Sequence, residues 1–314
     1  MYRNQIIKVI SFLILILNFS LLAQQVEYPP ISQSIKILEG NKFGWDSNSV
    51  HTFSVVQANK DGYKYWAYYG LDKYRKDFHS RKCGLARSND LKNWVKYEYN
   101  PIINKNCRWP TVVLSQNEFY MFYTEYNKEN DSRIVMVKST NGIDFNNKII
   151  VVPYTKGHQN QNPFIYFNEN DSTYYLFYYS GTERAKHKKD KYWSIVVKKS
   201  KDISKLKYAC PNKIITSSVV IAAPSITFYN NKYYLLVEEF ENYNRKNWKW
   251  VTRALWSDKI DGEYKRVINN PILSNHDACA FQYVLNNKLY VFYSHKTDIR
   301  KGIWELRMIE VGNE

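Results

Sequence analysis

The chain has 314 residues, a formal net charge of +16, and 28 Tyr, 15 Phe and 9 Trp against 11 Gly and 9 Pro. Aromatic and β-branched residues fit pleated, half-buried surfaces, so this composition points to strands. A basic surplus suits acidic glycans, anionic lipid or nucleic acid. However, its lysines are scattered through loops such as 184–191, without a helix or an aromatic RNA-binding motif, which excludes nucleic acid as the expected partner.

Residues 1–23 have the pattern of an export signal. Arg3 and Lys8 precede a short apolar run, and Ala23 offers a small residue at the cut. The run is shorter than the roughly 20 residues a membrane span needs. The expected mature chain, 24–314, is therefore secreted, periplasmic or at the cell surface, with no membrane span after signal removal. Its length suits one large all-β domain, and no linker divides it.

Five strand–turn–strand segments follow, at 51–70, 109–125, 162–180, 223–239 and 279–295, with Asn, Asp, Gly or Lys in the turns. After each of the first four, a further strand ends in serine, at Ser88, Ser139, Ser200 and Ser257, and a polar turn comes next. Four strands per unit of about 50 residues, repeated five times, predict a five-bladed β-propeller with four-stranded antiparallel blades. The last unit, ending at 302–311, has no room for its own outer strand. The segment 32–40 is expected to supply it, closing the ring by pairing the N- and C-terminal segments.

Four cysteines lie beyond the signal: Cys83, Cys107, Cys210 and Cys279. They allow three pairings, of which Cys83–Cys107 joins near neighbours in sequence. No C-x-x-C, H-E-x-x-H, G-x-S-x-G or phosphate-cradling loop occurs, so neither metal nor cofactor is expected.

The run Ser88-Asn89-Asp90-Leu91-Lys92-Asn93-Trp94, followed by Asn100-Pro101-Ile102, resembles the five-bladed propeller glycosidases. These are the family 43 arabinosidases and xylosidases and the related fructan- and sucrose-acting families. Asn269-Asn270-Pro271-Ile272 repeats the ending. The resemblance covers nearly all of 24–314. It implies a sugar site at one end of the central channel, with carboxylates contributed by different blades. One carboxyl protonates the leaving oxygen. Another, about 5 Å or about 6.5–9.5 Å away, attacks the anomeric carbon or activates water.

The chain departs from that pattern where the acids belong. At the entrances to the inner strands it has His51, Trp109, Asn162 and Ala223. Fructan-acting relatives have Arg-Asp-Pro where this chain has Arg108-Trp109-Pro110. Other acids are expected at the channel mouth: Asp46 and Asp277 just before inner strands, and Glu125 and Glu239 at the ends of second strands. Trp45-Asp46-Ser47 resembles the element that carries the nucleophile in levansucrase-type enzymes. Asp46 is accordingly assigned as nucleophile or base and Glu239 as general acid. Glu238 alternates to the other face of its strand and is the weaker choice. His51, Arg108, Trp109, Asn162, His276 and His295 are the candidate substrate-binding residues, Trp109 for stacking on a sugar face and Arg108 for clamping a carboxylate or sulfate.

The resemblance and these acids lead to the expectation of an exported glycoside hydrolase that cleaves a glycosidic bond in an oligo- or polysaccharide with a carboxylate pair at the channel mouth. Two further readings remain open. One is a non-catalytic carbohydrate-binding propeller, with aromatic and amide groups at its mouth and no facing carboxyls. The other is an extracellular scaffold whose channel mouth is filled by side chains. The expected partner is carbohydrate, acidic glycans included.

Overall fold

The computed structural model describes residues 25–312 apart from 48, 72–80, 183–191, 242–248, 275 and 300. The expected signal and the basic loop at 184–191 lie outside the described residues. Five four-stranded antiparallel sheets make up the rest. Blade I is β2 (His51–Lys60), β3 (Tyr63–Gly70), β4 (Gly84–Ser88) and β5 (Val95–Lys96). Blade II is β6 (Arg108–Ser115), β7 (Glu118–Tyr126), β8 (Ser132–Ser139) and β9 (Asn146–Val152). Blade III is β10 (Gln159–Asn168), β11 (Thr173–Gly181), β12 (Trp193–Ser200) and β13 (Asn212–Ser217). Blade IV is β14 (Ile221–Tyr229), β15 (Lys232–Glu241), β16 (Lys249–Ser257) and β17 (Lys265–Arg266). Blade V joins β18 (Asp277–Leu285), β19 (Lys288–Asp298) and β20 (Ile303–Val311) to β1 (Ile35–Leu38), so the ring closes as expected, with the N-terminal strand outermost on the last blade. Among the described residues no helix is long and apolar enough to cross a membrane.

Local chemistry explains the regularity. The hairpins of blades I, II, IV and V turn on Asp61-Gly62, Gln116-Asn117, Asn230-Asn231 and Asn286-Asn287, all eight residues at positive φ. Two consecutive left-handed residues give the turn whose twist matches the strands. Each repeated serine ties the next turn. Its Oγ accepts the N–H of Leu91 for Ser88, Gly142 for Ser139, Asp202 for Ser200 and Lys259 for Ser257. The Asn-Pro-Ile endings serve blades I and IV, whose outer strands are two residues long. Asn100 exchanges two hydrogen bonds with the Leu85 backbone, and Asn270 does the same with Ala254, each acting as a surrogate strand partner.

Apolar side chains fill the wedges between blades. Trp66, on blade I, is fully buried and stacks on Phe119 of blade II. Cys83 and Cys107 form a disulfide within this wedge; Cys210 and Cys279 are free thiols, exposed and buried respectively. The disulfide closes a sequence separation of 24 residues. From loop-closure entropy, Cys83→Ser with Cys107→Ser is expected to cost on the order of 3 kcal/mol, checked by urea unfolding of the two forms.

The innermost strands share a feature that positions the site. Thr52, Trp109, Asn162, Ala223 and Cys279 have φ of 57°, 52°, 50°, 46° and 49°. Each sits where the pairing of its strand with the next slips by a residue. The same left-handed bulge thus opens all five inner strands at one end of the axis. Four of the five residues are poor left-handed formers, and such strain concentrates at functional sites.

Candidate functional site

The bulges surround an axial cavity of about 260 Å³. From blade I comes His51; from blade II, Arg108, Trp109 and Tyr126; from blade III, Gln159, Gln161, Asn162 and Tyr179. Blade IV adds Val220, Ala222, Glu238 and Trp250, and blade V adds Ala278, Cys279 and Trp304. Below this mouth the channel narrows between Phe53, Phe164 and Phe281 and the prolines Pro110, Pro163 and Pro224. Phe164 and Phe281 meet across the axis, ring centres 5.5 Å apart, and give the cavity an apolar floor.

The wall groups are held in place. The Arg108 guanidinium lies 3.7 Å from the centre of the Trp109 ring, and its Nη1 donates to the Tyr126 hydroxyl at 3.0 Å. His51 meets Trp304 edge to face, ring centres 4.7 Å apart. The Gln161 amide donates to the Gln159 side-chain oxygen, which also accepts from Ser132 Oγ. Glu238 is buried, and its Oε1 accepts from both the backbone N–H (3.2 Å) and the Sγ (3.1 Å) of Cys279. Ser294 performs the same backbone task at the next junction, taking the Thr52 N–H at 3.0 Å.

Four of the sequence-predicted residues line the cavity: His51, Arg108, Trp109 and Asn162. His276 and His295 do not belong to that lining. His276 is held below the usual imidazole range by burial and by the fields of Lys296 and Lys249.

The structure does not bring Asp46, Glu125, Glu239 and Asp277 together. Asp46 is fully buried behind blade I, where Oδ2 accepts from Lys96 Nζ at 2.6 Å and from the Tyr69 hydroxyl at 3.3 Å. Burial and this carboxylate together push the Tyr69 hydroxyl far up. Glu125 and Glu239 occupy matching positions on blades II and IV and turn onto their own sheets. Glu125 binds Arg133 (2.6 Å) and Lys148, and Glu239 binds Arg253 and Arg266. Asp277 pairs with His295 Nδ1 at 2.7 Å; burial pushes its carboxyl up, against the opposing pull of that histidine.

The physical reason lies in the second strands. β15 pairs with β16 in unbroken register, so the neighbours Glu238 and Glu239 face opposite ways. Glu239 faces Arg253 and Arg266 of its own sheet, and Glu238 faces the bulge of blade V at Cys279 and the cavity. Among the described residues Glu238 is the sole carboxylate in its lining. Glu125→Gln and Glu239→Gln are therefore expected to lower stability by on the order of 1–3 kcal/mol, the usual loss for a hydrogen bond to a charged group. Thermal unfolding measures this, and any ligand affinity should stay within twofold.

Tyr126, Gln159, Gln161, Tyr179, Trp250, Cys279 and Trp304 were not marked by the sequence. A usable signal existed for Gln161. The triplets Arg108-Trp109-Pro110, Gln161-Asn162-Pro163 and Ala222-Ala223-Pro224 share one frame, in which the residue two before proline faces the cavity. Among the described residues no group of three or more His, Cys, Asp or Glu is disposed to hold a metal.

No family model matches the sequence, and no curated protein matches it. Solved structures do share the fold. A thermostable family-43 glycoside hydrolase is 16% identical, with a TM-score of 0.65, over 92% of this chain and 94% of its own. The catalytic domain of the Coprinopsis cinerea GH62 α-L-arabinofuranosidase is 13% identical, with a TM-score of 0.65, over 90% and 97%. An endo-arabinase from Bacteroides thetaiotaomicron is 14% identical, with a TM-score of 0.62, over 92% and 98%. At these identities the likeness establishes the five-bladed propeller.

Proposed function

We propose that this protein is a carbohydrate-binding propeller that takes a sugar unit into the axial cavity, acidic glycans among its ligands. One observation carries the reading. Among the described residues, the cavity wall combines Trp109, Trp250 and Trp304 with the amides of Gln159, Gln161 and Asn162 and a single carboxylate, Glu238. Indole faces stack on sugar C–H surfaces, and amides satisfy hydroxyls as donor and acceptor at once. The neighbouring folds include an arabinofuranosidase and an endo-arabinase, which supports a glycan as the ligand. We further propose that the protein works outside the cytoplasm. The signal pattern at 1–23 and the Cys83–Cys107 disulfide support this, since such bonds persist in oxidising compartments.

A second reading is hydrolysis of a glycosidic bond. The fold neighbours favour it, as does a buried carboxylate within the cavity. Against it, glycosidases of this chemistry employ two carboxyls.

Calorimetric titration of the chain with neutral and acidic oligosaccharides, alongside an assay for released reducing ends, separates the readings. Binding without release is expected, weakened but not abolished in Glu238→Gln. Release that disappears in Glu238→Gln establishes hydrolysis instead. Absence of both binding and release overturns both.

A further inference from the structure

We infer that the cavity selects a sugar unit bearing a carboxylate, a uronate, and that Arg108 is the residue that reads it. This rests on the carbohydrate reading above and narrows it to one class of sugar.

Arg108 is the guanidinium in the cavity wall. Its plane is fixed from one side by the Trp109 ring, 3.7 Å from the ring centre, and its Nη1 by the Tyr126 hydroxyl at 3.0 Å. A guanidinium stacked and tied in this way loses little side-chain entropy on binding, and its planar fork matches the two oxygens of a carboxylate. Among the described residues the one carboxylate of the wall, Glu238, belongs to blade IV, with blade III lying between it and Arg108 in the ring, and it is engaged by Cys279 of blade V. The guanidinium and the carboxylate thus stand on different blades of the wall.

That arrangement orients a sugar. The acid substituent faces blade II, and hydroxyl donors face Glu238. A guanidinium fork also takes sulfate and phosphate oxygens, so a sulfated ligand belongs in the test as the competing anion.

The surroundings of the mouth carry the same sign. Lys296 Nζ lies 4.9 Å from the centre of the Trp304 ring, and Lys249 precedes Trp250 at the start of β16. Lys249 is paired with Glu241 at 3.5 Å, whereas Arg108 and Lys296 lie against the rings of Trp109 and Trp304. A chain of uronates would place a further carboxylate near Lys296 while one unit occupies the cavity.

The test pairs each acid with its own neutral form. Oligomers containing glucuronate, galacturonate or mannuronate are titrated beside the same oligomers after carboxyl reduction, and sulfated galactan oligomers form a third arm. At least tenfold tighter binding of one acid form over its reduced form is expected, with the difference abolished in Arg108→Gln and largely lost in Arg108→Lys. Lys296→Gln should flatten the salt dependence of binding. Equal binding of acid and reduced forms overturns the uronate inference and leaves the carbohydrate reading standing; so does preference for the sulfated arm. Failure of all three arms to bind removes both. The acid-versus-reduced comparison uses the unaltered protein, so it decides even if the Arg108 variants do not fold.

Discussion

A chain that begins at residue 40 is expected not to fold. The segment 25–38 supplies the outer strand of blade V. β1 pairs with β20 through Ile35–Met308, Lys36–Arg307 and Leu38–Leu306. Ahead of it, Ile31 bridges to Val311, and the Ser32 N–H donates to the Glu310 carbonyl at 2.8 Å. Val26, Tyr28, Ile37 and Leu38 are buried, and the Tyr28 hydroxyl reaches Gln282 on the innermost strand of the same blade at 3.2 Å. Removing four such side chains forfeits burial worth roughly 1.5–3 kcal/mol each, on the order of 6–12 kcal/mol together. That is comparable to the entire stability of an ordinary domain, about 5–15 kcal/mol. Circular dichroism should show no cooperative melt for the truncated chain. Addition of a synthetic 25–39 peptide should restore one, because the strand closes the ring without being threaded through it. A truncated chain melting within a few degrees of the full one would show that the ring does not depend on this closure.

Loss of two tryptophans is expected to have the largest effect on ligand binding. Trp109 and Trp250 are both half-buried in the cavity wall, each backed by a partner: Arg108 for Trp109 and Phe240 for Trp250. A backed indole presents its free area without having to be ordered on binding, and Trp residues of this kind dominate recognition energies. Trp109→Ala with Trp250→Ala should weaken binding of the best glycan by two to three orders of magnitude, about 3–4 kcal/mol. Calorimetry on the single and double variants measures it. Trp109 belongs to no apolar wedge, so its single variant should melt close to the parent, whereas Trp250 packs against the wedge between blades III and IV and its variant should lose some stability. A change below threefold would mean that the rings only line the cavity.

The architecture was legible because the repeat is written in short-range chemistry. Paired turn residues, serines that tie the turn after each third strand, and asparagines that stand in for missing strand partners all act within a few residues of themselves. The closing strand was legible from a count, since the last unit lacked one strand and the N-terminus held a spare. The location of the site followed from the fold, but its membership did not. The left-handed residues Thr52, Trp109, Ala223 and Cys279 do not announce the bulge by their own type, because these residue types do not favour that conformation. Proline marks the bulge in three blades. Blades I and V have none, so the frame fell one residue early at His51 and two early at Asp277. Alternation rightly put Glu238 and Glu239 on opposite faces of β15, but nothing in the sequence told which face met the cavity. The buried carboxylates were then visible only as acids near strand ends, while their cationic partners, Arg133, Arg253, Arg266 and Lys96, stood on other strands.

The most direct measurement is the indole ¹⁵N–¹H spectrum during a glycan titration. The oligosaccharide panel should include one member that moves the indole signals of Trp109, Trp250 and Trp304 together, with a single saturating affinity, while Trp66, sealed between blades I and II, stays still. If every member leaves those three signals in place, or if the shifts gather on tryptophans away from the axis, the cavity is not a sugar site.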